Sequence, residues 1–380
     1  KTFVEEPGVI LPSVGLIPAA VFVGYLIYGR GASMTWATLV GLAVLAACIA
    51  VAPHMQVPAA LENARLWMFF LLAYAFSASV LPVNVLLQPR DYLCSYLLIV
   101  GVAAGIVGLA VTRPAVVQPA FTGFDSPQGF LWPMMCVTIA CGAISGFHAL
   151  IASGTTSKQL ANERYARRIG YGGMVAEGVV ALIAVLAVAA GITRSQAGLC
   201  LLLKDGGPIC VYGEGYAGLT QAFLGAHGKF LAVVILNAFI LTTLDTATRV
   251  CRYITEELLG LRNRFVATAV TVAAAAALAF SGAWNKLWPV FGASNQLVAA
   301  LALFVASAWF LARGKSVRTT LYAGVFMFLT TIAALAGQIR VSWREGNFLL
   351  AGLSAVLLVL ALVMVDEVRR AFVRLKSIKV

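Results

Sequence analysis

The chain has 380 residues, of which 61% are apolar and only 11% charged, with a formal net charge of +12. Soluble domains carry about 25% charged residues, so this composition excludes a water-soluble globular protein and indicates an integral membrane protein. Its apolar stretches are continuous and of helix-spanning length, which excludes the alternating strands of a transmembrane barrel, and its basic residues form no aromatic-rich soluble patch that would bind nucleic acid.

Hydropathy predicts eleven spans, near 11–28, 34–53, 65–87, 92–112, 129–153, 172–192, 217–241 (with a polar continuation to 254), 264–282, 286–311, 319–338 and 347–366. A single membrane domain over 1–380 is expected, with a basic tail at 367–380. Connector 154–171 holds Lys158, Arg164, Arg167 and Arg168, and connector 242–264 holds Arg249, Arg252, Arg262 and Arg264. Connector 312–318 holds Arg313, Lys315 and Arg318, and the tail holds Arg369, Arg370, Arg374, Lys376 and Lys379. With eleven spans all four regions fall on one side, so the positive-inside rule predicts a cytoplasmic C-terminus and an external Lys1. A chain that starts outside with Lys and not Met is expected to be a piece of something longer, preceded by an odd number of spans.

In chain order, the first polar interruption is SASVLPVNVLLQPRDYL, residues 77–93. Pro82 and Asn84 interrupt a span there, and Gln88-Pro89-Arg90-Asp91 is predicted as a tight hairpin turn.

The second is CGAISGFHALIASGTTSKQL, residues 141–160, where Gly142, Ser145, Gly146, His148, Ser153 and Gly154 break a membrane-length run. In hydrocarbon a helix loosens only where protein or a water-lined cavity satisfies the freed backbone. His148 reads either as a proton carrier or as a neutral side chain between helices. Gly142 and Gly146 suit close helix packing. Ser153, Gly154, Thr155, Thr156 and Ser157 are candidates to meet an anionic substrate with N–H groups and hydroxyls, the other reading being a hydroxyl-rich helix end.

The third is Glu177, inside a span and without a cation at i±3 or i±4. A carboxylate at such depth is neutral, paired or wet, which leaves a proton-coupling role or an ion pair with Lys158 or Arg249. Connector 193–216, with Lys204-Asp205-Gly206-Gly207-Pro208, is predicted as an external turn, and Cys200 and Cys210 flank it as a pair open to bridging in an oxidising compartment.

The fourth is LNAFILTTLDTATRVCRY, residues 236–253. Asp245 and Arg249 are spaced i,i+4 and explain each other as a local pair, while the run of Thr residues suggests a polar cavity face. The fifth is WNKLWPVFGASNQLVAALAL, residues 284–303, where Pro289 and Gly292 are expected to interrupt the span ahead of Ser294, Asn295 and Gln296. Those amides either bind a substrate or join helices.

No HExxH, GxSxG, Walker A or GxGxxG motif is present. Three dispersed histidines without Cys or carboxylate at ligand spacing predict neither a metal site nor a cofactor. The expectation is not an enzyme.

Several of these stretches resemble the carbon starvation protein (CstA) family of bacterial peptide- and pyruvate-uptake proteins. They are PVNVLLQPRDYL (82–93), PAFTGFDSPQGFLWPMMCVTIACGAISGFHALIASGTTSKQL (119–160), IGYGGMVAEGVVALIA (169–184), LNAFILTTLDTATR (236–249) and SGAWNKLWPVFGASNQLVAALAL (281–303). From Arg313 onward the resemblance is loose, and the family's further N-terminal portion has no counterpart here. The resemblance implies an all-α polytopic membrane protein with broken helices and inverted repeats, related to the amino acid–polyamine–organocation group. It implies proton-driven uptake of small carboxylates such as pyruvate, or of short peptides, through the bacterial inner membrane.

The resulting expectation is a proton-coupled symporter. Ser153, Gly154, Thr155, Thr156, Ser157, Asn295 and Gln296 would bind substrate, and His148, Glu177 or Asp245 would carry the proton. Its partners are a carboxylate or peptide, protons and the lipid bilayer, with no nucleic acid; oligomeric state is not legible. A passive channel and a nutrient-sensing membrane protein are the other classes that fit a polar-lined bundle.

Overall fold

Long apolar runs in hydrocarbon satisfy their backbone groups only within themselves, and helix is the open-chain solution. The computed structural model describes residues 2–55, 58, 63–126, 129–193, 195–282 and 284–377. The helices are α1 (Pro7–Gly29), α2 (Met34–His54), α3 (Ala64–Val80), α4 (Leu87–Thr112), α5 (Cys136–Ile139), α6 (Gly146–Ile151), α7 (Tyr165–Ala189), α8 (Gln196–Leu224), α9 (His227–Leu259), α10 (Arg264–Ser281), α11 (Trp284–Ala312), α12 (Arg318–Arg344) and α13 (Phe348–Ser377). A two-residue antiparallel ribbon, β1 (Asp125–Ser126) with β2 (Gly129–Phe130), precedes α5.

Among the described residues ten helical segments are long and apolar enough to cross a membrane, and Ala64–Val80 is a shorter apolar helix. Each of the eleven predicted spans has its counterpart among these, and the protein is an all-α polytopic membrane protein.

The chain divides into two compact units, residues 1–120 with 167–277 and residues 121–166 with 278–380. The first is centred on Leu16, Ala20 and Val23 of α1 packed with Leu93 and Leu97 of α4 and Ile235 of α9. The second is centred on Leu297 and Phe304 of α11 with Met327 and Phe328 of α12 and Ala361 of α13.

Four predictions are corrected. The predicted turn at 193–216 is corrected: from Gln196 onward these residues belong to α8, a helix bent at Gly207, whose φ of 73° only glycine adopts readily, ahead of Pro208. Accordingly the span placed at 217–241 begins at His227, after a turn at Gly225. Gln88 to Asp91 are the first turn of α4, not a hairpin, and the hairpin lies earlier, at 81–86. Pro89 is accepted there because first-turn N–H groups have no helical partner to lose. Finally α11 is continuous through Pro289 and Gly292; Pro289 comes just before the apolar stretch Val290–Ala312.

Cys200 and Cys210 both lie on α8 and are free. Within the basic tail α13 continues as helix to Ser377, and Arg369 and Arg370 pair with Asp366 one turn back, at 3.1 and 2.5 Å. Lys1 and Lys379 lie outside the described residues.

Candidate functional site

The second unit contains a broken helix. After α5 and a short 3-10 turn at Ala140–Gly142, the chain extends at Ser145 (φ −132°, ψ 129°) and restarts as α6. The helix starts here because its first N–H groups are capped. Asn295 Oδ1 on α11 accepts from Phe147 N at 2.7 Å and from Ser145 Oγ at 3.2 Å, and Ser145 Oγ accepts from His148 N at 3.3 Å. An amide on a neighbouring span thus does the work of an N-cap.

Gly146 makes the approach possible. A Cβ there would lie 2.3 Å from the Asn295 carbonyl oxygen and 2.5 Å from Val298 Cβ, whereas one at Gly142 meets nothing within 4 Å. The break therefore sits at residues 143–145. Residues Ala152–Thr156 form a single wide helical turn. The hydroxyls of Ser153, Thr155 and Ser157 donate to the carbonyls of Leu150, Ile151 and Ser153 on their own helix, at 3.1, 2.8 and 3.0 Å. Thr155 is buried, Ser153, Thr156 and Ser157 are exposed, and Gly154 is between.

Beside the cap, Gln296 is fully buried with both amide atoms unpaired, and Asn295 Nδ2 is also unpaired. Buried polar atoms without partners are rare in folded proteins, so these amides are candidates for contact with a ligand. His148 is exposed, its ring edge-on to that of Phe147.

The first unit contains a buried charged cluster. Asp245 (α9) and Arg90 (α4) are both 0% exposed and pair at 2.5 Å between Asp245 Oδ2 and Arg90 Nη1. Tyr74 (α3) donates to the same Asp245 oxygen at 2.7 Å and also accepts from Arg90 Nη1. Arg249, the expected partner of Asp245, turns elsewhere. Its Nη2 donates to the carbonyls of Ala78 and Leu81, each at 2.6 Å, and Arg252 Nη1 donates to Ser79 O at 3.0 Å. These carbonyls end α3, where the helix dipole and the unpaired C=O groups attract cations. That is why the i,i+4 pairing gives way.

The threonines of this stretch are mostly self-satisfied: Thr242, Thr246 and Thr248 donate to Ala238, Thr242 and Leu244 carbonyls at 3.1, 3.2 and 2.7 Å. Glu177, on α7, is exposed and has no ion-pair partner among the described residues. No group of three or more His, Cys, Asp or Glu residues able to hold a metal occurs among the described residues.

Sequence reasoning brought Asp245, Asn295, Gln296 and the break near Ser145 to attention. It missed Arg90 and Tyr74, which lie 155 and 171 residues from Asp245. The one signal for Arg90 was a cation so close to the apolar run of α4.

A sequence model of the family described as carbon starvation protein CstA matches residues 1–199 and 195–334. The peptide transporter CstA of Campylobacter jejuni is 30% identical, over 91% of this chain and 60% of its own length. The pyruvate/proton symporter BtsT of Escherichia coli K12 is also 30% identical, with the same 91% and 60% coverage. The peptide transporter CstA of Escherichia coli K12 is 34% identical over 63% of this chain and 44% of its own. This chain thus spans about 60% of the length of the Campylobacter transporter and of BtsT. The Campylobacter alignment runs over 423 residues, more than the 380 of this chain, so it includes stretches of that relative with no counterpart here. No solved structure matches.

Proposed function

The chain belongs to the carbon starvation protein CstA family, and from this premise we propose that it serves proton-coupled import of small carboxylates or short peptides across the bacterial inner membrane. This is a transport role, not an enzymatic one. The observation that carries it is the Asp245–Arg90–Tyr74 cluster, an ionisable group held by a cation inside a membrane-length helix. Intramembrane carboxylates paired in this way mark proton relays and substrate pathways.

Of His148, Glu177 and Asp245, we assign the coupling proton to Asp245. Gaining a proton there removes a buried ion pair and so changes the forces between α3, α4 and α9, whereas His148 and Glu177 are exposed and hold nothing together. We assign polar contact with the solute to the unpaired amides of Asn295 and Gln296. The stretch Ser153, Gly154, Thr155, Thr156 and Ser157 borders the discontinuous helix, and its three self-bonded hydroxyls are a secondary contact. The break at residues 143–145 supports a broken-helix, inverted-repeat architecture of the amino acid–polyamine–organocation type. Orientation follows the basic connectors, with the C-terminus in the cytoplasm.

The test is uptake of labelled pyruvate and of labelled dialanine into proteoliposomes, with and without an imposed pH gradient. Accumulation of either probe against its gradient only when the outside is acidic is the expected result. Equilibration without accumulation would make the protein a passive facilitator.

A further inference from the structure

Among the described residues four charged side chains are buried, namely Arg90, Asp245, Arg249 and Arg252, all in the first unit. Three are cations and one is a carboxylate. An excess of buried positive charge is costly unless something offsets it.

Arg249 and Arg252 are partly offset by the carbonyls that end α3, and Arg252 also has Glu256 at 3.5 Å. Arg249 leaves its Nε without a hydrogen bond, whereas Arg252 Nε is the atom that faces Glu256. Arg90 is different: it leaves both Nε and Nη2 unpaired while 0% exposed. Those two nitrogens form one edge of the planar guanidinium, with parallel N–H bonds that match the two oxygens of a carboxylate. The nearest acid to that edge is Asp91, whose Oδ1 is 3.9 Å from Nη2, too far for a hydrogen bond. The Asp91 side chain is 44% exposed, but the Oδ1 that faces Arg90 is buried and has no hydrogen-bond partner. Asp245 faces the other side of Arg90 through Oδ2, and its Oδ1 has no partner.

We propose that the Nε–Nη2 edge of Arg90 is a seat for the carboxylate of the transported solute, occupied when Asp245 takes up a proton and releases Arg90. The inference rests on the transport reading above and deepens it. The exchange balances. A proton arriving on Oδ1 of Asp245 breaks no hydrogen bond and cancels its charge, and the solute carboxylate then replaces Asp245 as the counter-ion of Arg90. One proton and one monocarboxylate enter together with no net charge. This seat is proposed in addition to the amide contacts and does not replace them.

The groups that bear on Asp245 are Arg90, Asp91 and Cys94 on α4, Tyr74 on α3, and Arg249 on its own helix with Tyr253 beside it. The pH dependence of binding is therefore read in variants that remove Asp245 itself and leave the others in place.

The experiment measures equilibrium binding of labelled pyruvate and of dialanine to purified protein in micelles between pH 5 and pH 8, with dialanine amide, which has no carboxylate, as the control. Wild-type affinity falls with rising pH, by up to about tenfold per unit because one proton is linked to one anion. Asp245→Asn binds both carboxylates with no pH dependence. The double variant Arg90→Gln with Asp245→Asn, which buries no unpaired charge, melts near the wild-type temperature and binds neither, and dialanine amide binds to none of the three. Pyruvate and dialanine binding at wild-type strength by a folded double variant overturns the seat, as does failure of both to bind Asp245→Asn. If the wild type accumulates a probe in vesicles and the double variant does so equally, the seat falls and the transport reading stands. If the wild type accumulates neither, the transport reading itself falls.

Discussion

Replacing Gly146 with Ala tests whether the break in the second unit is held by direct backbone contact between α6 and α11. The new methyl would stand 2.3 Å from the Asn295 carbonyl oxygen, 2.5 Å from Val298 Cβ and 2.8 Å from Ala299 N, two of the three being backbone atoms that cannot rotate away. Ordinary contact lies near 3.5 Å, so α6 has to retreat by about 1 Å. That retreat breaks or lengthens the 2.7 Å bond from Phe147 N to Asn295 Oδ1 and the 3.2 Å bond from Ser145 Oγ. Overpacking costs about 1–3 kcal/mol and each lost hydrogen bond about 1 kcal/mol, against a gain of about 0.5–1 kcal/mol from removing a helical glycine. The net expectation is a loss of about 2–4 kcal/mol. Gly142→Ala, four residues away with nothing within 4 Å, is the matched control and stays neutral or gains slightly. Thermal unfolding of both variants in the same detergent reads the difference. Equal unfolding temperatures for the two would refute the close approach of α6 to α11.

Other consequences are direct. Arg249→Ala leaves the Ala78 and Leu81 carbonyls without their cation and destabilises the protein by about 3 kcal/mol, since bonds to charged groups contribute about 1.5–3 kcal/mol each; faster amide exchange at the end of α3 and the start of α4 is the readout. Glu177→Gln keeps proton-driven accumulation, because an exposed carboxylate with no ion-pair partner among the described residues holds no helices together. Loss of accumulation in that variant would move the coupling proton to α7. Ser153→Ala and Ser157→Ala leave uptake within a factor of a few, as their hydroxyls bond to carbonyls of their own helix, whereas Asn295→Ala uncaps α6 and abolishes uptake. Uptake assays on the four proteins side by side would expose the reverse order.

Much of the fold was legible because hydrocarbon imposes one answer on an apolar run, helix, and the predicted spans each met one. Sequence and structure part where polar and chain-breaking residues stand inside helices. Lys204-Asp205-Gly206-Gly207-Pro208 carries every turn signal, yet Gly207 absorbs the bend locally and α8 continues on both sides. Pro89 was read as part of a turn although a first-turn proline costs a helix nothing. For the site, single residues were legible and partnerships were not. Asp245 stood out as a carboxylate in an apolar stretch, and the helical spacing offered Arg249 as its partner. The choice of Arg90 depends on α3 presenting unpaired carbonyls to Arg249, a tertiary fact with no trace in local spacing. Asn295 was likewise visible as a buried amide, but its use as the cap of α6 required the two elements to be side by side.

The most direct test of the proton-coupling claim compares accumulation with exchange in vesicles carrying Asp245→Asn. The wild type is expected to concentrate pyruvate or dialanine by up to about tenfold per unit of imposed pH gradient. Asp245→Asn is expected to exchange labelled for unlabelled solute across the same membrane and to build no gradient. Accumulation by Asp245→Asn as steep as that of the wild type would contradict the assignment.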